Sequence, residues 1–375
     1  MNAALDRPLL VTILLQPARA NALTLPQWDL LVRQARRANL LARLAGLLAG
    51  LPPVGPMIPT AARLHLDAAL LMAQRQREVT QREVQHIQRA LTGCDAPVVL
   101  LKGAAYLMAG LDVSQGRLFS DVDILVPREA LGQVETALMV HGWSYGELDA
   151  YDRRYYQQWM HELPPLQHSR RGTAIDVHHT ILPPTARLKI DTAALFEHLQ
   201  PLPDHAGLYV LPPADMLLHS AAHLFHEGEF DNGLRDLFDL DALLREFGTD
   251  ASFWPQVLER AQRIGLLRPL HHALHYTRDL LGTPVPGSVL KELAALPGAS
   301  PRPLTQALLD HCFHRALRAR HSTCELPGTE RALTALLVRS HWLRMPLWLL
   351  TRHLGRKQFK RWFDTAPKPR PQPEA

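Results

Sequence analysis

The chain has 375 residues, a formal net charge of +5 at pH 7 and 47% hydrophobic residues. At about 150 residues per domain, that length predicts two to three domains whose cores need no disulfides. Cys94, Cys312 and Cys324 are scattered and form no C-x-x-C pair, which excludes a disulfide scaffold and a cysteine zinc cluster. No apolar run approaches the ~20 residues of a membrane span. Arginine far outnumbers lysine. This suits a phosphate-bearing partner, but the excess is too small to demonstrate nucleic-acid binding and much of it lies toward the C-terminus.

Pro8–Leu15 is a short apolar run followed by Ala18-Arg19-Ala20, which superficially resembles a signal peptide. Asp6 offsets Arg7, so the required basic start is poor. The run reads instead as a first helix packed on its domain, and a cytoplasmic location is the default. Residues 22–93 read as helical, with Leu40, Leu41, Leu44, Leu47 and Leu48 at helical spacing and Pro52-Pro53 and Pro56 as breakers. Pro97–Leu101 reads as a buried strand that ends in the turn Lys102-Gly103, and Ala104–Ala109 as a helix. Leu118–Val126 reads as a second strand and Arg128–His141 as a helix. Gly142–Gly146, Leu166–Arg170 and Gly172–Thr180 complete the predicted strands. From about residue 190 the chain reads as helical again, interrupted by a Pro- and Gly-rich stretch at 283–303.

The expected fold class is α+β, a small mixed sheet embedded in a mostly helical chain. Four parts are expected: a helical region at 1–93, an α/β core at 94–185, a helical domain at 186–300 forming the other wall of a cleft, and a basic helical tail at 301–375 with a disordered Pro-rich end.

The chemistry rests on carboxylates. Asp121 and Asp123 stand two apart on a predicted strand and so share a face. Like charges placed so close repel unless a cation lies between them. Asp176, flanked by Ile175 and Val177, is a third carboxylate in a strand context. If its strand lies beside the first, the set suits two Mg²⁺ ions, with Mn²⁺ as the substitute, arranged for phosphoryl chemistry. Asp176 would then stand by the attacking hydroxyl as base or ligand. The strand–Lys102-Gly103–helix joint suits phosphate, and Arg117 and Ser120 are placed to contact a triphosphate.

Leu100-Leu-Lys-Gly103, Arg117-Leu-Phe-Ser-Asp-Val-Asp-Ile-Leu-Val126 and Ile175-Asp-Val-His178 together resemble the polymerase-beta-like nucleotidyltransferase superfamily. Within it, the chain is similar to the bacterial uncharacterised nucleotidyltransferase family. The downstream His219, His223 and Arg235-Asp-Leu-Phe-Asp239 add to the likeness, which spans roughly residues 30–285. The resemblance implies Mg²⁺-dependent transfer of a nucleoside monophosphate from a nucleoside triphosphate to an acceptor that the sequence does not identify. One departure is Ala104, where many members of the superfamily carry serine or glycine after the joint glycine. It leaves open a nucleotide-binding module without turnover.

The remaining features are less specific. Asp176 has Arg170 and Arg171 nearby as alternative ion-pair partners, and Lys102 and Arg117 have these carboxylates as theirs. His178 shares a strand face with Asp176. His219 and His223 stand four apart, a zinc-compatible spacing, but without an H-E-x-x-H pattern or a third ligand. They read as a polar helix face turned to the cleft, together with Arg235. Arg235, Asp236 and Asp239 also fit an ion-pair network. Residues 333–363 mix Trp342, Trp348 and several leucines with Arg339, Arg344, Arg352 and further basic residues. Such a helix suits weak contact with a membrane surface or an anionic partner, so an interaction protein acting through this tail is a third reading.

Overall fold

Apolar period and punctuation place the helices much where the sequence expects them. The computed structural model describes residues 7–51, 58–146, 156, 159–226 and 228–346. Among the described residues, four α-helices precede the sheet: α1 (Leu9–Leu15), α2 (Leu25–Arg37), α3 (Leu41–Ala49) and α4 (Thr60–Ala90). α1 buries Leu10, Val11, Ile13 and Leu14. α2 starts at a capping box, in which the Thr24 N–H donates to Gln27 Oε1 at 2.9 Å. α4 buries only a thin stripe that includes Leu66, Ala73, Val84 and Ile87, so most of its surface is solvated.

The sheet begins with β1 (Val98–Leu100), followed by α5 (Lys102–Met108), β2 (Asp121–Leu125), α6 (Leu131–Val140), β3 (Trp143–Tyr145), β4 (Leu166–His168) and β5 (Ala174–His178). Two short strands, β6 (Gln200–Pro201) and β7 (Leu208–Val210), lie where the sequence reads as helical. The spatial order is β3-β4-β5-β2-β1-β7-β6. β2 runs parallel to β5 and antiparallel to β1, while β1 runs parallel to β7, so the sheet is mixed and the fold is α+β. Val98, Val99 and Leu100 are each at most 3% exposed. That explains why β1, central and covered on both faces, reads as an unbroken apolar run.

The second helical group comprises α7 (Pro213–His226), α8 (Gly233–Phe247), α9 (Phe253–Ile264), α10 (Leu267–Tyr276), α11 (Gly287–Ala295), α12 (Pro303–Ala316) and α13 (Thr329–Arg344). α11 falls inside the stretch read as an interruption. α7 packs against α8, α9 and α10 and touches α5, which brings the helical wall to the edge of β1 and β2.

Candidate functional site

The parallel pairing of β2 with β5 aligns Asp121 with Ala174, Asp123 with Asp176 and Leu125 with His178. Partners in register project to the same face, so Asp121, Asp123, Asp176 and His178 share one side. Val122, Ile124, Ile175 and Val177 fill the other side and are each at most 3% exposed. The apolar residues between the carboxylates therefore anchor the strands and turn the acids together to the opposite face.

Asp123 is 6% exposed. Its Oδ1 accepts from Lys102 Nζ at 3.2 Å and from His178 Nε2 at 3.1 Å. Burial alone would raise its carboxyl, but Lys102 and the His178 hydrogen bond hold it well below the usual carboxylate range. Asp176 behaves oppositely. Burial, then Asp123, Glu162 and Asp121, push its carboxyl up to about 7. The alternative partner Arg171 is committed elsewhere, with Nε donating to Glu83 Oε2 at 2.8 Å. Asp176 makes no salt bridge among the described residues. Ser120 Oγ donates to Asp121 Oδ1 at 3.0 Å.

The joint after β1 is built differently from a glycine turn. Lys102 itself takes the left-handed φ of 44°, which is strained for a residue with a side chain. That turn carries its ammonium back to Asp123. Gly103 serves close packing instead, because a Cβ there would lie 2.3 Å from Arg117 Nη1. Ala104 is 1% exposed and does not line the adjacent cleft.

Arg117 is held by Asp239 rather than by the strand carboxylates, its Nε donating to Oδ2 at 2.9 Å. Arg43 Nη2 donates to Asp239 Oδ1 at 2.6 Å. Burial would raise the Asp239 carboxyl, but Arg117, Arg43 and Arg235 hold it below its ordinary value. Gly116 lets the loop before β2 approach α3 this closely: a Cβ there would meet Arg43 backbone atoms at 2.5 Å, and its φ is +64°. One buried carboxylate thus ties α3, the loop before β2 and α8 together.

A cleft of about 200 Å³ lies between sheet and helices. It brings together Lys102, Gly103, Arg117, Ser120, Asp121 and Asp123 from the sheet side with His223, Arg235, Asp236 and Asp239 from the helices. Arg235 also pairs with its neighbour Asp236 at 2.7 Å. His219 lies behind this wall, and burial and Lys102 keep it neutral. His226, two turns further, is buried and pushed down to about 3 by burial and by Arg339 and Arg344. A larger cavity of about 570 Å³ opens at the far ends of β2 and β5, lined by Pro127, Arg128, His179, Thr180 and Phe196 among others, and contains none of the carboxylates.

Sequence reasoning missed His161 and Glu162. Glu162 forms a β-bridge with His178, which places its Oε2 3.4 Å from His178 Nδ1. No periodic signal surrounds that segment, so only its pairing with β5 reveals it. Arg43 was missed too, standing 196 positions from Asp239.

The basic tail divides. Arg339 and Arg344 turn inward and donate to the carbonyls of Phe225 and His226 at the end of α7, at 2.8 and 3.2 Å. The Arg187 guanidinium lies over one face of Trp342, 4.1 Å from its ring centroid, and leaves the residue 46% exposed. The rest of that segment from residue 347, including Trp348 and Arg352, and the Pro-rich end lie outside the described residues. Among the described residues no helix is long and apolar enough to cross a membrane.

The model of one protein family, described as uncharacterised nucleotidyltransferase, matches residues 25–282. No curated protein and no solved structure matches the chain.

Proposed function

The chain belongs to the uncharacterised nucleotidyltransferase family, and on that premise we propose that it moves a nucleoside monophosphate from a nucleoside triphosphate to a hydroxyl acceptor at Asp121, Asp123 and Asp176. The observation that supports this most is the pairing of Asp123 with Asp176, which puts the three carboxylates on one face. They fit a pair of hard divalent ions, Mg²⁺ or Mn²⁺. The donors are all carboxylate oxygens, and the rise of Asp176 to about 7 under burial and three acidic neighbours is a cost that bound cations relieve. When bound, such ions neutralise phosphate charge and make the acceptor hydroxyl more acidic.

In this reading Asp121 and Asp123 would hold the ions, and Asp176 would serve the acceptor hydroxyl as its base or as a further ion ligand. Lys102 exchanges its contact with Asp123 for a phosphate oxygen. The backbone at Gly103 and the side chains of Ser120 and Arg117 complete the phosphate-facing rim. His223 and Arg235 face the base or the acceptor from the helical wall, and His178 orients Asp123.

The test is pyrophosphate release with each of the four nucleoside triphosphates and Mg²⁺. Asp123→Asn is expected to lose about 10²–10⁴-fold of the rate, the several kcal/mol attributed to metal charge stabilisation, while keeping a native circular dichroism spectrum. Undiminished turnover in that variant overturns the proposal.

A further inference from the structure

We propose that His161, Glu162 and His178 form a second cation site, for a borderline divalent ion of the zinc class, beside the carboxylates rather than among them. One donor atom from each residue lies within 4.8 Å of the other two. Glu162 Oε2 is 3.4 Å from His178 Nδ1 and 3.6 Å from His161 Nε2. A tetrahedral ion with bonds of about 2.0–2.1 Å spaces its ligand atoms by roughly 3.3–3.4 Å. Two edges of such a tetrahedron are therefore nearly in place before any ion arrives. The two imidazoles and one carboxylate are the donor mix that zinc prefers over magnesium, and with three protein ligands the fourth position stays open.

Backbone pairing builds this site. The Glu162–His178 bridge is flanked by the Leu163 N–H donating to Val177 O at 2.8 Å and the His179 N–H donating to His161 O at 2.9 Å. The ligands are thus held by a short ladder, not by an isolated loop. The side chains of His161, Glu162 and His178 are 19, 18 and 4% exposed, shielded yet reachable.

A second observation comes from the far side of the His178 ring. Metal-bound histidines almost always donate their other N–H to a carboxylate or carbonyl, which fixes tautomer and orientation. His178 Nε2 lies 3.1 Å from Asp123 Oδ1. A carboxylate–histidine–metal chain is laid out, running from Asp123 through His178 to the Glu162 side. An ion there would bind a His178 ring whose tautomer and orientation Asp123 already sets.

The experiment titrates the full chain with Co²⁺ in the presence of excess Mg²⁺, which competes for the all-oxygen site. The wild type is expected to bind one equivalent with the intense visible absorption of a tetrahedral nitrogen–oxygen site, and Zn²⁺ is expected to bleach it. The double variant His161→Ala/Glu162→Gln, and His161→Gln alone as the gentler change, are expected to bind Co²⁺ at least tenfold more weakly. They are also expected to keep Mg²⁺-dependent nucleotide binding, which reports an intact fold. Asp121→Asn is expected to keep the absorption. Absence of that absorption in the wild type, or its persistence undiminished in the variants, overturns the site. Either result leaves the nucleotidyl-transfer reading to its own test, because nucleotide binding is scored separately.

Discussion

Gly103→Ala is a single added methyl whose cost depends on one other side chain. The new Cβ would lie 2.3 Å from Arg117 Nη1, 3.2 Å from Arg117 Cζ and 3.0 Å from Phe119 Cδ1. A flexible arginine end could ordinarily step aside. This one is 11% exposed, bonded to Asp239 at 2.9 Å, and lies near the rings of Tyr106 and Phe119. Moving it strains or breaks a buried ion pair, while keeping it forces α5 to shift. Overpacking of this kind costs about 1–3 kcal/mol. Against that stands the gain of about 1 kcal/mol for alanine over glycine inside a helix. Removing the closer obstacle should therefore shrink the cost, leaving the 3.0 Å approach to Phe119 Cδ1. Gly103→Ala is expected to destabilise the wild type by about 1–3 kcal/mol and to cost at least about 1 kcal/mol less in an Arg117→Ala background. Urea unfolding of the four proteins measures the cycle. An equal cost in both backgrounds would refute the idea that Gly103 exists to admit Arg117.

Two further expectations concern charge. Asp239→Asn leaves Arg43 and Arg117 buried against each other and is expected to cost about 3–5 kcal/mol in urea unfolding; a loss under about 1 kcal/mol would contradict the triad. Asp176 is raised to about 7 in the folded chain against an ordinary value of about 3.9. Without divalent ions the folded state therefore holds a proton that the unfolded state has released between those values. Its contribution to stability is present at low pH, is lost as pH rises toward about 7, and changes no further above that. Asp176→Asn should lack this slope, and identical pH dependence of the two unfolding midpoints would show the assignment of Asp176 to be wrong.

The strands that carry the acids were legible because their neighbours are apolar. Val122, Ile124, Ile175 and Val177 give a strand signal that marks the aspartates between them as residues turned away from the core. Most helices were legible from their period, but α11, inside the Pro- and Gly-rich stretch, was not. What the sequence could not convey is pairing across the chain. Nothing local says that β5 lies against β2 with Asp123 opposite Asp176, or that Arg43 reaches Asp239 across 196 positions. β6 and β7 have two and three residues, too few for any period to show, and they form only as an edge on β1. Tertiary structure consumes part of the charge in a way that no local pattern conveys. Arg339 and Arg344 look like the polar face of a surface helix but satisfy the carbonyls at the end of α7.

The site keeps its structural charges apart from its candidate metal-binding charges, and that separation predicts how the protein responds when magnesium is withdrawn. Asp239 joins α3, the loop before β2 and α8 using protein cations alone. Asp176, by contrast, is raised by burial and then by the acids around it. If the carboxylate face were the bond between sheet and helical wall, removing Mg²⁺ would open the fold. The magnitudes argue otherwise. An ion present at its own Kd adds only about 0.4 kcal/mol to stability by mass action, an order of magnitude less than the ~3–5 kcal/mol of breaking a buried ion pair. Withdrawing Mg²⁺ is therefore expected to abolish nucleotide binding while lowering the thermal midpoint by no more than a few degrees. The check is a melting curve and a nucleotide titration on the same Mg²⁺-depleted sample. A collapse of the fold there would mean that the carboxylates, and not Asp239, hold the helical wall to the sheet.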